Sequence, residues 1–97
     1  MILYVPITKV KQYLRVDSDD DDIIINSLIT VSQEMVQDVL RKKLEEFDPM
    51  PETILQAILF TIATLYENRQ AGKEGLMMEG LIDIVRRMVS SYREDKW

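Results

Sequence analysis

Between Asp21 and Leu44 apolar residues recur at steps of three and four, which dictates one helix roughly 35 Å long at 1.5 Å per residue. Ile24, Leu28, Val31, Met35 and Val39 form one stripe along it. Ile25, Ile29, Val36 and Leu40 form a second, about 100° round the axis. Together they make an apolar arc approaching half the circumference, wide for a helix with one neighbour. A second long segment follows the turn Glu45 to Pro51 and runs to about Gln70, with Pro49 or Pro51 at or near its first helical position. Ile54, Leu55, Ile58, Leu59, Ile62, Leu65 and Tyr66 fill one broad face of it. The opposite face, Thr53, Gln56, Ala57, Phe60, Thr61 and Thr64, carries no charge until Glu67. A helix solvated on one side normally shows Lys and Glu there, so this one is expected to be covered on both sides.

Two shorter helices complete the set. Thr8 is the expected N-cap of a helix from Lys9 to Val16, with Val10, Tyr13 and Leu14 on its apolar side. A last helix, about Met78 to Arg93, has Leu81, Val85, Met88 and Tyr92 on its stripe, flanked by Ile82 and Val89. Asp83, Arg86, Arg87 and Ser90 face out. The loop Ala71 to Gly75 precedes it and holds two of the three glycines. The expected architecture is all-α: a small single-domain bundle of about four helices, with two long antiparallel helices at its centre. Residues 1–7 form an extended N-terminal arm, because Pro6 biases its predecessor away from helix, and 94–97 form a C-terminal tail.

Composition removes most enzyme chemistry. The 97 residues include neither cysteine nor histidine. Disulfides, thiolate metal sites and every His-dependent catalytic arrangement are thereby excluded. Asp17, Asp19, Asp20, Asp21 and Asp22 carry the whole net charge of −5, since the remaining twelve acids balance twelve bases. The run imitates the start of a calcium loop, but that loop needs Gly at its sixth position and Glu at its twelfth, where Asp22 and Leu28 stand. The aspartates are better read as capping the long helix and favouring its positive dipole end. No catalytic residue, cofactor or metal is expected. Arg41-Lys42-Lys43 is the only basic cluster, too small for non-specific DNA binding and placed to complement a helix C-terminus. The longest uncharged apolar-rich stretch, Thr53 to Tyr66, is about 14 residues, short of the ~20 a spanning helix needs, so no membrane association is expected.

Contact residues are the remaining chemistry. Phe60, with Thr53 and Thr64, is the centre of the uncharged face. Tyr66, Glu67 and Arg69 close the same helix, where Arg69 either holds a partner carboxylate or anchors the bundle end through Asp38, Asp83 or Glu79. Trp97 at the terminus is a docking anchor or a frayed tail.

Three blocks, in order, resemble the small head–tail connector proteins of long-tailed bacteriophages. Val10-Lys11-Gln12-Tyr13-Leu14-Arg15-Val16-Asp17 is similar to the family's opening, and Asp21-Asp22-Ile23-Ile24-Ile25-Asn26-Ser27-Leu28-Ile29 to the start of its long helix. Ala57 through Tyr66-Glu67-Asn68-Arg69 resembles its apolar helix ending in Tyr-Glu-Asn-Arg. Leu81 to Tyr92-Arg93 is a weaker fourth block. Where many members break the long helix with a Thr-Gly-Arg-like turn, Arg41-Lys42-Lys43-Leu44-Glu45-Glu46 is expected to continue helical.

The resemblance implies a non-enzymatic phage or prophage structural protein. It implies a homo-oligomeric ring under the portal protein, joining after DNA packaging and offering tail-completion proteins a docking surface. DNA is then only cargo in the channel. The site is the virion head–tail junction, after synthesis in the bacterial cytoplasm. The competing reading is a small helical regulator binding DNA or another protein, for which Arg86 and Arg87 are the candidate contacts.

Overall fold

The structure, a computed structural model, describes residues 3–70 and 78–93; the side chains of Met78 and Glu79 are outside that description. The described residues form four α-helices: α1 (Ile7–Leu14), α2 (Asp22–Leu40), α3 (Glu52–Gln70) and α4 (Met78–Met88). Two short 3-10 turns, Leu44–Glu46 and Ser90–Tyr92, follow α2 and α4. There is no strand among the described residues. The two long helices run antiparallel at the centre, and α1 and α4 each pack against both of them.

The core falls on the second of the two stripes of α2. Ile25, Ile29, Val36 and Leu40 are fully buried against Ile54, Ile58, Leu59 and Ile62 of α3 and Leu81, Val85 and Val89 from the C-terminal part. The first stripe is only partly covered: Leu28, Met35 and Val39 pack at its margin, while Val31 is exposed. On α3, Ala57 and Thr61 are buried by the chain itself. The Thr61 hydroxyl donates to the Ala57 carbonyl at 2.8 Å, so a polar side chain enters the core already satisfied. Part of the uncharged face thus reflects α3 sitting between helices of its own chain.

Four local expectations are corrected. The first helix begins at Ile7, not Lys9. Pro6, rather than Thr8, stands at the N-cap, and its carbonyl accepts from the amides of Lys9 and Val10. Proline suits this place because the amide it lacks has no helical partner there. This helix also ends at Leu14, where Arg15 takes the left-handed conformation (φ 61°) and the Val16 amide reaches back to the Lys11 carbonyl.

The second helix stops at Leu40 instead of reaching Leu44. Arg41 turns left-handed (φ 57°), and the Gln37 side chain accepts from the Leu44 amide at 3.0 Å. The break turns Leu44 into the core and brings Phe47 against it, burial that a solvated helical extension of Arg41-Lys42-Lys43 forgoes. A turn therefore stands where the resembled family breaks its helix.

The aspartates do not cap α2 through their side chains: Asp21 is the N-cap residue but makes no such bond. Finally, α4 ends at Met88, and Tyr92, expected on its stripe, lies on the 3-10 turn, where its ring meets Phe47 edge-on at 6.3 Å.

Candidate assembly surface

The aspartate run is used as a clasp. Lys11 of α1 bridges Asp19 at 2.7 Å and Asp22 at 2.9 Å, tying α1 to the start of α2. The hydrogen bonds from Lys11 hold the Asp19 carboxyl below its ordinary value of 3.8, and those same bonds raise Lys11 above 10.5. Asp21 accepts from the Tyr66 hydroxyl at 2.7 Å and, more loosely, from the Gln70 amide at 3.4 Å. The Asp21 carboxylate, helped by partial burial, pushes the Tyr66 phenol above 10.0. Three of the five aspartates are thereby held by side chains of two helices, α1 and α3. Among the described residues no group of three or more His, Cys, Asp or Glu side chains is placed to hold a metal ion.

The contact residues expected on α3 are only partly brought together. Thr53 is exposed near the start of the helix, Phe60 is half-buried against the core, and Glu67 and Arg69 are exposed near its end. Thr64 is half-buried and its hydroxyl donates to the Phe60 carbonyl at 2.9 Å. Tyr66 spends its hydroxyl inside the chain, on Asp21. Arg69 is exposed. Trp97 lies outside the described residues.

Sequence reasoning passed over two features of α2. Gln33 is fully buried, its side-chain oxygen accepting from the Tyr4 amide at 2.8 Å, which pins the N-terminal segment and helps seat the buried Val5. Ser32 is buried beside it. Both stand three or four residues from Ile29 and Val36, so the helical spacing that marks the core contained them.

The opposite end of α2 is basic and grooved. Between α2 and α4, Met35, Val39 and Ile82 floor a groove walled by Arg41, Arg86, Arg93 and Asp38. The Arg93 side chain donates to the Val39 carbonyl at 2.9 Å, and Arg86 pairs with Asp83 at 3.0 Å. Beyond it, Lys42 lies 4.7 Å from the centre of the Phe47 ring. Arg86 and Arg87 are both exposed, as expected, but Arg86 already holds a carboxylate of its own helix.

Large apolar side chains that stay exposed include Ile23, at 83%, and Tyr13, Val31 and Ile84. Among the described residues no helix is long and apolar enough to cross a membrane.

No curated protein and no solved structure matches the chain at a significant level. A family model does: the one described as phage gp6-like head-tail connector protein matches residues 4–93. That span takes in α1 to α4, the aspartate clasp and the basic groove, and on that match the chain belongs to the phage gp6-like head-tail connector family.

Proposed function

We propose that this chain is the repeating subunit of a ring seated beneath the portal, closing the DNA-filled head and giving the tail-completion protein its attachment surface. The observation that carries the reading is the family match across residues 4–93. The subunit acts by packing, without catalysis, and DNA passes through the ring as cargo. It is made in the host cytoplasm and works at the head–tail junction of the virion. Thr53, Phe60, Thr64 and Glu67 recur at helical spacing along α3 and supply one lateral surface, with Tyr66 and Arg69 at its end.

Negative-stain microscopy of the purified chain, alone and mixed with the portal, tests the reading. Annular particles support it; monomers under both conditions overturn it. Phe60→Asp places a charge in a half-buried apolar contact. It is expected to keep the helical circular dichroism and to lose rings on sedimentation. An unchanged oligomer removes Phe60 from the interface.

A further inference from the structure

The two ends of α2 are chemically opposite, and each sets an apolar element beside its charge. At the N-terminal end Ile23 follows the aspartate run directly and is 83% exposed. Asp19 and Asp22 are occupied by Lys11, and Asp21 by Tyr66, whereas Asp17 and Asp20 make no ion pair among the described residues. At the C-terminal end the groove of about 230 Å3 has an apolar floor of Met35, Val39 and Ile82, and its walls carry Arg41, Arg86 and Arg93 with Asp38 among them and Asp83 paired to Arg86. The bond from Arg93 to the Val39 carbonyl fixes one of these arginines at the floor's edge.

An exposed aliphatic side chain flanked by carboxylates is the complement of an apolar floor flanked by guanidinium groups. Burying Ile23 there removes apolar surface from water, and an aspartate beside it meets an arginine fork. The two elements cannot meet within one subunit, because α2 holds Ile23 roughly 18–24 Å from Met35 and Val39 as a rigid rod.

We propose that the acidic corner of one subunit, with Ile23 as its knob and Asp20 as its charge, docks into the α2–α4 groove of the next. The inference rests on the ring reading above and gives it a direction. Since the two surfaces differ, the contact is heterologous and repeats from copy to copy until its rotation closes.

The absence of cysteine makes the test clean. Asp20→Cys and Arg86→Cys chains, one lengthened by a tag so that they differ in mass, are mixed in equal amounts at high concentration and oxidised. The mixed disulfide is expected to exceed either like-with-like dimer. Like-with-like dimers in equal or greater yield, or no crosslink, overturn the docking. In parallel, Asp20→Arg and Arg86→Asp are each expected to weaken self-association several-fold, and the two together in one chain to restore it. Restoration supports the contact, and an additive loss overturns it. If Ile23→Asp leaves self-association intact but abolishes binding to the portal, the acidic corner serves the portal and the inference fails. Wild-type rings without the mixed crosslink sink the docking while the ring reading stands; neither rings nor crosslink sinks both.

Discussion

At the scale of single residues, the Tyr66–Asp21 bond ties the start of α2 to the end of α3. It joins residues 45 apart in sequence, the N-cap of α2 and the last turns of α3. Tyr66→Phe keeps the ring and removes the donor, and is expected to lower stability by about 1 kcal/mol, read as a shift in the urea midpoint at constant slope. Because the phenol's folded value is raised above 10.0, its contribution is whole below that pH and fades as the pH climbs through the folded value. The difference between Tyr66→Phe and wild type should therefore shrink in strong alkali.

The Lys11 clasp is bounded on both sides. Lys11 is raised above 10.5, so its share is lost as the pH climbs through the folded value. Asp19 is lowered below 3.8, so its share is lost as the pH falls through the folded value. Denaturation midpoints of Lys11→Ala and wild type should stay apart across neutral pH and converge at both extremes. A separation that ignores pH would mean that Lys11 acts by packing alone.

At the scale of elements, the long helices were legible because their apolar spacing runs for many turns. Their ends were not, because ends depend on what the next residues gain elsewhere. Arg41-Lys42-Lys43 has good helix formers throughout, yet α2 stops before them so that Leu44 and Phe47 reach the core. The exposed face of α3 was read as a surplus for partners, and the structure divides it: Ala57 and Thr61 are consumed inside the chain, while Thr53 remains exposed. The Asp21–Tyr66 pairing was implicit in the architecture, since antiparallel neighbours set the start of one beside the end of the other, but several aspartates competed for the role. A further consequence concerns Arg15, which is left-handed at the end of α1 without a glycine's freedom (φ 61°). Arg15→Gly is expected to raise the melting temperature, with a gain of about 0.5–1 kcal/mol. A loss would show that the Arg15 side chain holds a contact worth more than the strain.

At the scale of the whole molecule, the chain measures 41 × 29 × 19 Å and sets the aspartate run and the arginine-walled groove at opposite ends of α2. Such a body has a preferred heading in the field of its neighbours. Under the docking proposed above, the acid corner of one copy is drawn towards the arginines of another before they touch, and encounters begin partly turned the right way. Added electrolyte shortens the reach of that guidance to about 8 Å at physiological strength. Stopped-flow light scattering should thus show encounter slowing steeply with ionic strength while the lifetime of the assembled state changes little. In the proposed ring such a subunit arrives already aimed.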